Sequence, residues 1–119
     1  MGSRFSGLGL AARTPGTTGT GAPFHEAKIQ LVWEKAPFAP NANPALYRLD
    51  SAGALIRRGD YGLTNRTGWE IDHMIPVTAG GGDDLDNLQP LQWQNNRSKG
   101  DEYPYWIPAV ALVQKFVTR

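Results

Sequence analysis

At 119 residues the chain is long enough for one domain with a modest core and too short for two. Hydrophobic residues make up 40% and aromatics 10%, the composition of a folded body rather than of general disorder. There is no cysteine and there are only His25 and His73, which excludes disulfides, thiolate zinc sites and multi-histidine zinc sites, so a metal would be held largely by oxygen; the formal charge of +1 says little by itself about nucleic acid.

Residues 1–23 are rich in Gly, Thr, Ser and Pro, contain no acid and lack apolar periodicity, and they read as a flexible tail or linker ahead of a domain over 24–119. Leu8-Gly9-Leu10-Ala11-Ala12 is too short and too interrupted for a secretory core, and no apolar run reaches membrane-spanning length. A soluble, cytoplasmic protein without a membrane partner is expected. Ala27 to Trp33 is ambiguous: Ile29, Leu31 and Trp33 alternate as in a strand, whereas Ile29, Val32, Trp33 and Ala36 fit one helix face. Pro37, Pro40 and Pro44 enforce an irregular connection.

Leu46 to Leu49 and Ala54 to Arg57 flank Asp50-Ser51-Ala52-Gly53, which reads as a β-hairpin with Gly supplying positive φ. After turn-rich sequence, Trp69 to Val77 is the next extended segment, closed by Gly80-Gly81-Gly82. Asn87 to Leu91 is a short return strand. A short helix begins near Gln92 and ends near Gly100, a residue suited to a C-cap. Beyond Pro104 and Pro108, Val110, Val113, Phe116 and Val117 give a helical stripe within 109–117, read as a packing element.

The chemistry concentrates at Asp72-His73. Phosphodiester hydrolysis needs a base to deprotonate water and a cation to absorb charge on the phosphorane and the leaving oxygen. A carboxylate is a hard ligand for Mg²⁺ or Mn²⁺, and an imidazole can take a proton near neutral pH. Neighbouring strand residues point to opposite faces, so the two can share a site only where the strand ends or bends, and Pro76 with the glycines supplies such an ending. A helix starting near Gln92 can bring Asn96 back as a second oxygen ligand; Asn95 competes for that place.

Asp72-His73, then Asn87, then Asn96, with Lys99-Gly100, resemble the HNH endonuclease family and its ββα-metal core. Asn87-Leu88-Gln89-Pro90-Leu91 is similar to that family's Asn-Leu-Gln-x-Leu second strand. Trp69-Glu70-Ile71-Asp72-His73 and Trp93-Gln94-Asn95-Asn96 look like a compact bacterial and phage branch, in which a hairpin comparable with Tyr47-Arg48-Leu49-Asp50 also occurs. The resemblance covers roughly 46–101, with its motif in 68–101. It implies an α+β fold in which a β-hairpin precedes the ββα-metal core and a C-terminal segment packs against it. It implies that Asp72 and Asn96 ligate Mg²⁺ or Mn²⁺, that His73 is the general base, and that Asn87 ties the loop and so fixes the histidine. Lys99 resembles a basic residue facing substrate phosphate, and Arg97 beside it is a second phosphate candidate. The expected reaction is cleavage of double-stranded DNA to 5′-phosphate products. Many relatives carry Cys-x-x-Cys pairs for a structural zinc; Gln92 and Asn95 stand there instead, so no structural zinc is expected and Trp69, Trp93 and Trp106 are the candidates to hold the module by packing.

Blander roles stand beside these. His73 alone would be an ordinary structural histidine, and Arg97 and Lys99 a solvated helix face. Glu70 reads as an ion-pair partner of Arg66 or Arg97, or as a residue orienting a ligand. Asp83-Asp84-Leu85-Asp86 lacks the spacing and closing Glu of a calcium loop and reads as a polar turn. His25 reads as exposed and idle. Two rival functions remain: a nucleic-acid-binding module that does not cut, and a toxin-like effector tip with an inhibitory protein partner, motivated by the Gly/Thr-rich leader. Near-neutral charge points to modest unspecific affinity, or to help from a homodimer or larger complex.

Overall fold

A computed structural model describes residues 13–111. The expectations for 1–12 and for 112–117 lie outside the described residues. Residues 109–111 are described, and they are not helical. Residues 13–23, expected as the end of a tail, form turns in which the Thr18 N–H donates to the Ala22 carbonyl and the Gly21 N–H to that of Thr18, both at 2.8 Å.

The ambiguous segment after it is a helix, α1, Glu26–Trp33. Helical spacing wins because it buries Ile29, Val32 and Trp33 together and leaves Leu31 exposed. The hairpin follows as β1, Tyr47–Leu49, and β2, Leu55–Arg57, antiparallel with Arg48 opposite Ile56. Its turn is fixed from within: Asp50 Oδ1 accepts the N–H groups of Ala52 and Ala54, and Gly53 adopts φ 86°.

The extended segment at Trp69 is shorter than its apolar pattern suggests. β3 runs Trp69–His73, and Val77–Ala79 is already a single 3₁₀ turn. β4, Leu88–Gln92, returns antiparallel, placing Asp72 opposite Gln89 and His73 opposite Leu88. Then comes α2, Trp93–Lys99, whose first N–H groups at Gln94 and Asn95 are capped by the Gln92 side chain and which stops at Gly100 with φ 53°. The chain is therefore α+β, with a ββα unit behind a hairpin.

The strand β3 is buried along its whole length. On one face Trp69 and Ile71 join Ile29, Val32, Trp33, Ile56 and Leu88 in the core, with the Trp33 and Trp69 rings 5.3 Å apart. The other face, Glu70 and Asp72, meets α2. Among the tryptophans expected to pack, Trp69 and Trp33 are fully buried, while Trp93 and Trp106 are only half-buried.

A polar node joins hairpin, helix and C-terminal segment. Asp50 Oδ2 accepts from the Gln92 N–H and from Asn95 Nδ2, both at 2.9 Å. Asn95 Oδ1 in turn accepts the N–H groups of Ala109 and Val110. All of Asn95's hydrogen-bonding capacity is engaged in structure, which removes it from competition for a metal.

Candidate active site

The end of β3 decides what can meet. Alternation sends Glu70 and Asp72 towards α2 and Ile71 and His73 the other way. Because His73 is the last strand residue and the chain then turns, Asp72 and His73 line one cavity of about 220 Å³, together with Asn96 and Arg97 from α2. The turn itself needs Gly81: a Cβ there would lie 1.7 Å from the Ile75 carbonyl oxygen. Asn87 ties the same loop, accepting the Ile75 N–H on Oδ1 and donating from Nδ2 to the carbonyls of Ile75 and Gly82.

His73 is 3% exposed, and its Nε2 lies 2.7 Å from Asp83 Oδ1. A carboxylate only accepts, so Nε2 carries the proton and the lone pair of a neutral ring is on Nδ1, which has no hydrogen-bond partner among the described residues. Asp83 is held in turn by the Gly19 N–H at 3.0 Å. Burial alone would raise the Asp83 carboxyl, but the hydrogen bonds from His73 and Gly19, with the charge of Lys28, outweigh it and keep the group below the ordinary carboxylate range. Sequence reasoning missed Asp83, reading Asp83 to Asp86 as a polar turn. The available signal was an acid just after the glycines that fold the loop back beside the histidine.

Asp72 is 5% exposed, with Oδ2 accepting from Gln89 Nε2 at 2.9 Å and Oδ1 3.3 Å from Lys99 Nζ. Burial pushes its carboxyl up, and neither the Gln89 hydrogen bond nor the Lys99 charge fully offsets this. Lys99 itself departs from expectation. It is 2% exposed, with its ammonium on Asp72 and on the His73 carbonyl at 3.0 Å, so it faces the strand end and not substrate phosphate. The physical reason is its position on the last turn of α2, facing β3, where a buried carboxylate attracts it.

Asn96 donates Nδ2 to Glu70 Oε1 at 2.7 Å, while Arg97 Nη2 reaches Glu70 Oε2 at the same distance. Glu70 thus orients the Asn96 amide and leaves its Oδ1 with no hydrogen-bond partner among the described residues. Arg97 stays about half exposed and lines the cavity. His25 is exposed at the start of α1.

No group of three or more His, Cys, Asp or Glu side chains gathers to hold a metal among the described residues. Asp72 and Asn96 are the buried oxygen donors of the cavity, with the exposed Asp101 beside them. Two hard oxygen donors with room for water and phosphate suit an octahedral divalent ion such as Mg²⁺, which keeps several waters. Asp72, whose oxygens are shared with Gln89 and Lys99, and Asn96 through Oδ1 are the groups that would hold such an ion. No helix of the described residues is long and apolar enough to cross a membrane.

The family model described as HNH endonuclease matches residues 59–102, the stretch from the turn before β3 to the end of α2. No curated protein and no solved structure gives a match.

Proposed function

With an HNH endonuclease segment at residues 59–102 as the premise, we propose that this protein is a divalent-metal-dependent endonuclease that hydrolyses double-stranded DNA. The observation that carries the reading is His73: a ring pinned through Nε2 by Asp83, with Nδ1 unpartnered among the described residues, at a cavity that Asp72 and Asn96 also line. A Mg²⁺ or Mn²⁺ ion held by Asp72 and Asn96 would supply charge neutralisation for the phosphate and the leaving oxygen.

The chain's own residues supply the rest. His73 Nδ1 takes a proton from water, whose oxygen bonds to phosphorus in line as the bond to the 3′ oxygen breaks; that oxygen takes a proton from solvent to become a 3′-hydroxyl, and the phosphate stays on the 5′ side. Asp83 keeps the ring in the tautomer that this step requires, in the way an acid orients a catalytic imidazole elsewhere. Asn87 fixes the backbone around Ile75 and Gly82, and hence the loop that carries Asp83. Glu70 sets Asn96, and Lys99 holds the strand end through the His73 carbonyl. Arg97, half exposed beside Asn96, offers its remaining N–H groups to a backbone phosphate.

Incubation with supercoiled plasmid and Mg²⁺ or Mn²⁺ tests the function. The expected result is conversion to open-circular and linear forms, suppressed by chelator, with 5′-phosphate ends. A plasmid that is retarded in a gel yet stays supercoiled with either metal would instead identify a binding module that does not cut.

A further inference from the structure

We infer that Arg13 binds a backbone phosphate of the substrate, so that the substrate site extends from the ββα unit onto the segment 13–23; the inference rests on the nuclease reading for the identity of the polyanion. Arg13 lies outside the matched family segment, yet it lines the same cavity as Asp72, His73, Asn96 and Arg97.

Two cations at the cavity already hold acids, and Asp101 stands exposed in its lining. Lys99 sits on Asp72, and Arg97 sits on Glu70. A duplex bound across the cavity brings backbone phosphates besides the one at the metal, and each carries a negative charge that an unpaired cation can meet. Arg13 is the cavity-lining cation with no ion pair among the described residues. Its single hydrogen bond there, Nη1 to the Thr17 carbonyl at 2.9 Å, fixes the guanidinium without neutralising it. The remaining N–H groups form a planar fork that matches two phosphate oxygens.

The segment that carries Arg13 is anchored to residues of the matched family segment at three points. Gly16, at φ 81°, lies over Glu70, where an added Cβ would come within 3.3 Å of the Glu70 Cβ. The Tyr61 hydroxyl donates to the Gly16 carbonyl at 3.4 Å. The Gly19 N–H donates to Asp83, the partner of His73. The segment is therefore ordered at the cavity by contacts that include the one on Asp83, and the cost of ordering Arg13 on binding is reduced.

The test measures affinity for a short DNA duplex over a range of salt, in chelator so that nothing is cut, for the wild type, Arg13→Gln and Arg13→Lys. Loss of one phosphate contact should lower the slope of log K against log salt by about 0.9. Affinity should fall roughly ten- to a hundredfold in Arg13→Gln, and Arg13→Lys should keep the slope. A slope and affinity unchanged in Arg13→Gln would overturn the assignment. So would a lower cleavage rate and melting temperature with the slope intact, since that marks a role in tethering the segment alone. Plasmid cleavage by the wild type separates the two readings. If it cuts and Arg13→Gln cuts and binds equally well, Arg13 is idle and the nuclease stands. If it does not cut but the slope still falls in Arg13→Gln, the phosphate contact stands and the nuclease does not.

Discussion

His73→Ala should lower the rate of plasmid cleavage by about 10²- to 10⁴-fold, the range associated with loss of a general base. Among the described residues that line the cavity, the ring is the one with an uncommitted basic nitrogen, while the Asp72 oxygens already accept from Gln89 and Lys99. The fold should survive, since the side chain stands at the end of β3 and the core cluster is built by Trp69, Ile71 and Leu88 with α1. Single-turnover nicking rates and near-ultraviolet circular dichroism on the same preparations check both halves. Asp83→Ala should cost less, because it spares the base but frees its tautomer and orientation. Wild-type rates in His73→Ala with an unchanged spectrum would remove His73 from the chemistry.

The largest effect on stability is expected at Asp50. Asp50→Ala leaves the buried N–H groups of Ala54 and Gln92 without their acceptor and strips one of the two hydrogen bonds from Asn95 Nδ2, which keeps only the Val110 carbonyl. Stranded buried donors each cost about 1–3 kcal/mol, so a loss of about 3 kcal/mol or more is expected. That is a large fraction of the stability of a domain of this size. The consequence reaches the site, because Asp50 ties the hairpin to the start of α2, the helix that presents Asn96 and Arg97. Urea unfolding followed by tryptophan fluorescence measures the change, and a loss under about 1 kcal/mol would show that the node is dispensable.

The parts of the fold set by local rules could be read from the sequence. The Asp50 to Gly53 turn, the glycines after β3, and the span from Gln92 to Gly100 each follow from one residue's backbone or capping chemistry. The motif residues Asp72, His73 and Asn96 come to one cavity. What escaped the sequence was tertiary pairing. Lys99 looks like a surface base on a polar helix, and only the packing of α2 on β3 turns it inward onto Asp72. Asp83 looks like one acid of three in a turn, and only the fold of the Gly80 to Gly82 loop sets it against Nε2 of His73. Asn95 and Asn96 are adjacent and chemically identical; the helix sends one to Asp50 and the C-terminal segment and the other to Glu70. Arg13 sits in a segment whose composition suggests no structure at all, and its turns are stabilised by contacts with residues some distance along the chain.

Titration with Mn²⁺, following the free ion by electron paramagnetic resonance, tests the centre of the account most directly. A single ion should bind per chain, with uptake lost in Asp72→Asn and weakened in Asn96→Ala. Uptake by both variants equal to that of the unsubstituted protein would show that these two oxygens do not share a cation, and the proposed nuclease centre would be contradicted.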